Sequence, residues 1–314
     1  MSDPTGSSVL TQYNPGFRAN MNMAPQQIKS RLIDKVDSDL NYTKAAELWN
    51  ADDIGVSTPE YVDTRVPKTP SKFLEKTRRV GSFRPFHDQA WLDDVDEARL
   101  LEDPTSKTMA ALMAGRWRFA DDAIIAAAFG NAMTRQEDGT YTNVAFPAGQ
   151  VVAVNTQTYV HDDEVVPAAS ADYGMGIGKI IEAGLLLDES EIDEVTDTPE
   201  RFLAMSAKQI ADLLKSTPTT HADYAEVKAL HSGKIDHLLG FNIVRTQRLR
   251  KTGNNRRCLA WLKPALVYNA RPIVNANVRV RHDMSDNMEA FYKSEHGATR
   301  RYDEGVVEIL CKEA

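Results

Sequence analysis

Cysteine is scarce in this chain. Cys258 and Cys311 are the only two in 314 residues, too few for a disulfide framework and without metal-ligand spacing. No run approaches about eighteen apolar residues, so no membrane-spanning helix and no membrane partner are expected. The N-terminus MSDPTGSSVLTQ lacks a basic segment followed by an apolar one, so no secretory signal is expected and folding in a reducing cytoplasm is. Positive charge is not in excess: the formal net charge is −8, which argues against global attraction to nucleic acid.

Signature motifs of chemistry are missing too. G-x-S-x-G, H-E-x-x-H and C-x-x-C do not occur, which removes the commonest hydrolase, zinc-protease and redox readings. Gly174, Gly176 and Gly178 stand before Lys179, but the spacing matches neither phosphate-binding glycine pattern. Asp94 and Asp96 have the spacing of calcium ligands, yet no turn glycine and no closing glutamate follow. His282-Asp283 and Glu295-His296 are the strongest catalytic or metal-holding candidates. Their spacing fits no metal motif, so a metal-dependent hydrolase is the remote alternative, and neither cofactor nor enzyme activity is expected.

What the chain does have is one long helical stretch, from Asp103 to Asn131. Asp103 is suited to accept from free backbone N–H groups, and Pro104 sits where a missing N–H costs nothing. Gly130-Asn131 is a stop signal. Met109, Leu112, Met113, Ala120, Ala123, Ile124 and Ala127 recur at three- and four-residue steps and predict one buried face. At 1.5 Å per residue the rod is roughly 39 Å long. Small residues such as Ala110, Ala114, Gly115 and Ala126 let other backbones come close.

Before this rod, residues 1–24 read as an arm. Pro25 opens a short one-sided helix through Ile28, Leu32 and Val36, and 42–56 is ambiguous between helix and strand. Pro59, Pro67, Pro70 and Pro85 forbid a long helix or a central strand from 57 to 85. A long hairpin projecting from the body fits that stretch better than a structureless insertion. It is cationic: Arg65, Lys68, Lys72, Arg78, Arg79 and Arg84 lie on it. The segment after it is acidic, with Asp93, Asp94 and Asp96.

Beyond the rod, short strands are expected at 141–146, 151–155 and 158–160, and a helix after Lys179 carrying Ile180, Ile181, Leu185 and Leu187. An acidic block follows, including Glu191, Asp193 and Glu194. Arg201–Met205 predicts a strand, and Ser206 with Gln209 a capping box for the next helix. A second short helix carries Tyr224, Val227 and Leu230; Phe241–Arg245 then leads into a strand. From Gly240 to His282 there is no acid, while Arg245, Arg248, Arg250, Lys251, Arg256, Arg257, Lys263, Arg271, Arg279 and Arg281 all fall there. They are not interleaved with stacking aromatics as a single-strand platform would be. Complementary patches on copies of one subunit are the simpler reading. Lys263-Pro264 predicts a short helix through Asn269; Val278–Arg281 and Val306–Cys311 predict strands.

In this order the residues resemble tailed-phage major capsid proteins with the HK97-like shell fold. Arg78-Arg79-Val80 through Pro85 is similar to the outgoing strand of that family's extended loop, and Asp103-Pro104 to Gly130, with Arg118–Ile125 at its centre, to its spine helix. Gly178-Lys179-Ile180 resembles its peripheral-domain helix. The most specific likeness runs from Arg201 to Leu249, through Gln209, Leu213-Leu214, Asp223, Leu230, Gly233-Lys234-Ile235 and Gly240–Val244, and matches the axial-domain pattern. Gly297–Arg301 with Val306-Val307 and Ile309 is similar to the returning peripheral strands.

The resemblance implies an α+β fold with N-terminal arm and short helix (1–56), extended β-hairpin loop (57–93), peripheral domain with the spine helix (94–187), axial domain (188–275) and returning strands (276–314). It implies a homo-oligomer of hexamers and pentamers closing an icosahedral head around double-stranded DNA, located in the virion and assembled in the host cytoplasm. A portal and a decoration protein are further partners it suggests. The region before Pro25 is too short for a built-in scaffold, so a separate scaffolding protein is expected. The charged residues named on the hairpin, the two acidic segments and Arg248, Arg250, Arg256 and Arg257 are the expected inter-subunit surface. An encapsulin-type compartment on the same fold is the nearest alternative.

Overall fold

The computed structural model describes residues 24–38, 48–61, 65, 73–74, 76–92, 105–136, 138–156, 172–192, 200–216, 237–271 and 275–313. In chain order the strands are β1 Leu48–Ile54, β2 Lys76–Ser82, β3 Arg84–Leu92, β4 Ala132–Arg135, β5 Tyr141–Val144, β6 Val151–Val152, β7 Arg201–Met205 and β8 His237–Leu238. They continue with β9 Phe241–Arg245, β10 Lys251–Thr252, β11 Asn255–Leu262, β12 Leu266–Ala270, β13 Asn275–Arg281, β14 Asn287–Arg300 and β15 Val306–Lys312. Three helices accompany them: α1 Thr105–Phe129, α2 Ile177–Asp188 and α3 Ala207–Ser216. The chain divides into two compact units, one from 1–29, 86–118 and 272–294, the other from 30–85, 119–271 and 295–314.

The larger unit is organised by a seven-stranded sheet in the order β6-β15-β11-β7-β9-β8, with β10 on β11. At its centre β11 pairs antiparallel with β15, Cys258 opposite Ile309 and Ala260 opposite Val307. Cys258 to Leu262 are all fully buried, as are Val306, Val307 and Ile309. A continuous apolar run of this kind marks a strand covered on both faces. On one of those strands Trp261 stacks on Phe202 and donates its indole N–H to the Lys35 carbonyl at 2.9 Å. Strands from 151 to 312 meet in this one sheet, as expected of a chain that returns at its C-terminus.

Helix α2 buries Ile180, Ala183 and Leu187 in the same core, at three- and four-residue spacing. Lys179 is fully buried with them. Its ammonium donates to the carbonyls of Val154, Tyr173 and Leu310 at 2.9, 2.9 and 2.7 Å. All three of its donors are therefore engaged by backbone, and none is left for a phosphate. Burial pushes its pKa down. The two thiols are free and lie on the adjacent strands β11 and β15. A hydrogen bond to Cys311, with burial, pushes the Cys258 thiol well up.

A second sheet of this unit, β1-β2-β4-β5, is antiparallel throughout. Ambiguous residues 42–56 thus include a strand, β1, whose pairing partner is the cationic β2. The indole of Trp49 lies across two glycines. A Cβ on Gly81 would stand 2.1 Å from it, and one on Gly297 would stand 2.2 Å from the Ser82 carbonyl. In the same unit β12 pairs with residues 296–300 of β14. In the smaller unit β13 pairs with residues 287–293 of β14.

Helix α1 ends one residue before Gly130, as its stop signal requires; of the expected face Leu112, Ala120 and Ile124 are buried, while Met109, Met113, Ala123 and Ala127 are half-buried, and Asp103 lies outside the described residues. Its buried positions are Leu112, Ala114, Ala120, Asp121, Ile124, Ile125 and Ala128. An interior carboxylate sits among them: Asp121 accepts from the backbone N–H groups of Arg31 and Leu32 and from the Ser30 hydroxyl. Past the last turn, fully buried Arg300 donates to the carbonyls of Ala128 and Gly130 at 2.8 Å each. Carbonyls that end a helix have no intrahelical partner, and a cation there also meets the helix dipole favourably.

Two expected helices are corrected. After Pro25 there is only a 3-10 turn, Ile33–Lys35, although Leu32 and Val36 are buried and Ile28 is exposed. Ser30 takes the N–H groups of Leu32 and Ile33 on its hydroxyl, which competes with helix formation. After Lys263 the helix is a 3-10 turn to Ala265, and 266–270 is strand β12. Pairing with β14 decides it, since a strand ladder satisfies backbone groups that a one-turn helix leaves open. The capping box closes differently as well. Ser206 accepts from the Lys208 N–H at 3.3 Å and hydrogen-bonds the Gln209 side-chain carbonyl directly. The expected strand at 158–160 and helix around Tyr224 lie outside the described residues.

Candidate inter-subunit surface

Register decides what the hairpin's charges do. In the β1–β2 ladder Asp52 stands opposite Arg78 and Asp53 opposite Thr77. Arg78 forks onto the Asp52 carboxylate, with Nη2 to Oδ2 at 2.8 Å. That hydrogen bond and charge raise the pKa of Arg78. Arg79, on the other face, binds Thr134 Oγ1 at 2.9 Å and the Asp303 carboxylate. Asp303 also takes Arg300 Nε at 2.6 Å, so one carboxylate serves two guanidinium groups. Arg65 and Arg84 are exposed, and among the described residues neither has an ion-pair partner. Lys68, Lys72, Asp93, Asp94, Asp96, Asp193 and Glu194 lie outside the described residues. Glu191 is exposed and has a left-handed backbone, φ 53.

The acid-free segment 240–282 finds carboxylates elsewhere in its own chain. Arg248 Nε binds Asp122 Oδ1 of helix α1 at 2.6 Å, which raises the pKa of Arg248. Arg256 grips Glu313 with two bonds of 3.1 Å, and Lys251 shares that carboxylate. Arg257 binds Glu308, Nη2 to Oε2 at 2.8 Å, with its guanidinium 4.3 Å from the Phe129 ring centre. Lys263 pairs with Glu200, Arg271 with Glu295, Arg279 with Glu289, and Arg281 with both Glu289 and Asp283. Of the cations named there, only Arg245 and Arg250 have no carboxylate partner among the described residues. The expectation of a basic block facing an acidic neighbour is thereby narrowed. Sequence spacing shows a run without acids, but not that distant strands bring acids to it.

The acidic block is engaged at its described ends as well, Asp188 by Arg201 and Glu200 by Lys263. Three partners went unnoticed in the sequence: Asp52, Asp53 and Asp303. Asp53 accepts from Arg301 Nη2 at 2.7 Å and from the Tyr302 hydroxyl at 2.9 Å. Burial, and then that hydrogen bond, push Tyr302 up to about 12. The β1–β2 register reveals the Asp52–Arg78 pair, while Asp53–Arg301 and Arg79–Asp303 depend on segments brought together only by the tertiary fold.

The catalytic candidates are dispersed among separate partners. His282 is exposed and bonds Asp286 at 2.6 Å, while Arg281 binds Asp283 and holds its carboxyl down at about 2. Glu295 binds Arg271 at 2.7 Å. His296 is buried, stacked on Phe119 with ring centres 5.0 Å apart, and its Nδ1 lies 3.3 Å from the Tyr268 hydroxyl. Among the described residues no three His, Cys, Asp or Glu side chains converge to hold a metal, and no helix is long and apolar enough to cross a membrane.

A sequence model of the family described as phage capsid protein matches residues 9–313. No curated protein matches the chain. Several solved structures share its fold at low identity. The capsid structure of the cyanophage P-SCSP1u is similar with a TM-score of 0.66 at 16% identity, covering 100% of this chain and 97% of that one. A structure from Mycobacterium phage Che8 gives 0.64 at 15%, over 95% and 97%. The capsid of an empty GTA particle gives 0.65 at 10%, over 99% and 98%. A family match that covers nearly the whole chain, on a mixed helix-and-sheet fold shared with phage capsids, leads to one assignment: the chain belongs to the phage capsid protein family, and with it is a structural protein and not an enzyme.

Proposed function

We propose that this chain is a major capsid subunit, assembling as hexamers and pentamers into the icosahedral head that encloses double-stranded DNA in the virion. The family match over 9–313 carries the reading. Helix α1 is the spine of the subunit; the extended loop that reaches a neighbour, expected at 57–93, is better drawn as the β1–β2 hairpin with the residues between its strands, because β3 pairs with β14 instead. Residues 94–187 and 276–314 make the peripheral domain, and 188–275 the axial domain. Exposed apolar side chains on the loop support this: Ile54, Val56, Tyr61 and Phe73 are 68, 95, 99 and 100% exposed. Large apolar side chains of that exposure gain by being covered. Of the cations expected at the interface, Arg65, Arg84 and Arg250 are the described ones left for contacts between copies. Assembly takes place in the host cytoplasm with a separate scaffolding protein and a portal.

Negative-stain imaging tests this. Co-expression with the other head proteins of the phage is expected to give closed particles built of five- and six-membered rings. Monomers alone under those conditions would overturn the reading. Uniform closed shells from this chain by itself would remove the separate scaffold.

A further inference from the structure

The β1–β2 hairpin and β4 part company at one corner of their sheet. β4 meets β2 at Arg79–Thr134 and Val80–Met133, while β1 and β2 continue as a two-stranded ladder to Ile54–Lys76. Between them lies an open groove of about 510 Å³, lined by residues 52–54, 76–78 and 135–136. Its carboxylates are engaged: Asp52 by Arg78, Asp53 by Arg301 and Tyr302. Lys76 and Arg135 are exposed, and among the described residues neither has a carboxylate partner. Ile54 adds an exposed apolar edge. The groove therefore has two unmatched cations beside an aliphatic side chain.

We propose that this groove takes the acidic stretch 93–97 of a second copy of this chain. The proposal rests on the shell reading above, which supplies the second copy. Leu92-Asp93-Asp94-Val95-Asp96-Glu97 carries acids interrupted by aliphatic residues, which complements cations beside Ile54. The other acidic block is the poorer candidate, because Asp188 and Glu200 at its two ends are held within the chain. Opposite charges on the rim of such a contact steer association and set register more than they add affinity. They also act over a Debye length of only about 8 Å at physiological salt.

A labelled peptide of residues 91–102 tests this on the full chain by fluorescence anisotropy. Binding is expected at low salt and is lost as salt is raised. The double substitution Lys76→Glu, Arg135→Glu is expected to weaken it about tenfold, the reversal of two exposed charges. Both side chains are exposed, so the variant folds as the parent does, and circular dichroism checks that. No binding, equal binding by a peptide with its five acids replaced by amides, tighter binding by a 188–200 peptide, or parental affinity in the double variant each overturns the proposal. In particles, the same double variant is expected to lower assembly yield. Combining it with Asp93→Lys and Asp94→Lys is expected to restore the yield, and no recovery would overturn the proposal. The peptide measurement needs no shell. Particle formation by the parent chain with a parental response in the double variant defeats the groove alone. Failure of the parent chain to assemble defeats the shell reading.

Discussion

The two units hold themselves together by different means. In the larger, buried residues from many strands form one cluster around Trp261, Leu203, Val306 and Ile180. In the smaller, the buried cluster is Leu112, Ala290 and Tyr292, with Phe86, Ala90, Met109 and Met113 partly covered against it. Among the described residues of this unit Trp91, Val278, Val280 and Met284 are 43, 37, 48 and 50% exposed. What the smaller unit has instead is charge. Glu289, only 2% exposed, accepts from Arg279 and Arg281, and Arg279 and Arg281 also lie over Phe291 and Trp91. Burial of apolar area is what mainly stabilises a fold. By that measure the described residues of the larger unit carry the larger apolar core.

The sharpest test of the larger unit is Arg300→Met. The side chain is fully buried, binds Asp303 and covers the terminal carbonyls of α1. Removing it leaves Asp303 with Arg79 alone and takes the donor from two carbonyls, for an expected loss of about 2–4 kcal/mol in denaturant unfolding. Arg300→Lys keeps the charge but not the fork, and is expected to lose less. A loss under about 1 kcal/mol for the methionine variant would mean that the carbonyls find other donors.

Leu112→Ala probes the smaller unit. It removes the aliphatic neighbour of Tyr292 at the expected cost of about 2–3 kcal/mol, the lower part of the range for such truncations. Hydrogen exchange is expected to rise in 287–293, while 255–262 and 306–312 keep their protection. Equal loss of protection in both places would break the comparison, since it would make the two units one cooperative body.

Alkaline pH touches both units, since burial raises Tyr292 in the smaller one as well, and the larger shift is at Tyr302. Tyr302 is pushed up to about 12 from its ordinary 10.0, so between those values the unfolded chain loses a proton that the folded chain keeps. Stability from this group is full below pH 10 and falls as pH rises toward about 12. Tyr302→Phe is expected to flatten that part of the pH–stability curve; an unchanged slope would assign the fall to other groups.

Legibility in the sequence followed the range of the interaction. Helix α1, α2 and the strands at 201–205, 241–245 and 306–312 were readable, because their periodicity and stop signals are local. The charge pairing was not. Arg248 with Asp122, Arg257 with Glu308 and Arg301 with Asp53 join residues 126, 51 and 248 positions apart. No spacing rule reaches that far, so a block without acids looked like charge left for a neighbour. The stretch after Pro25 failed for the opposite reason. Its four-residue stripe was real, since Leu32 and Val36 are buried, but Ser30 and Asp121 took the backbone donors that a helix needs.

Val278 and Val280 offer the last test of the comparison. They alternate along β13, whose residues 276–280 are all exposed and which pairs only with β14 among the described residues. Val278→Thr with Val280→Thr keeps the β-branched shape that a strand favours. In the isolated subunit the pair is expected to change stability by no more than about 0.5 kcal/mol, as for exposed positions generally. In assembled particles the same change is expected to lower the temperature at which shells come apart, because a hydroxyl then has to be desolvated against a neighbour. An equal, small effect in both settings would leave β13 facing solvent in the shell too, and the smaller unit would then rest on its own apolar cluster and ion pairs.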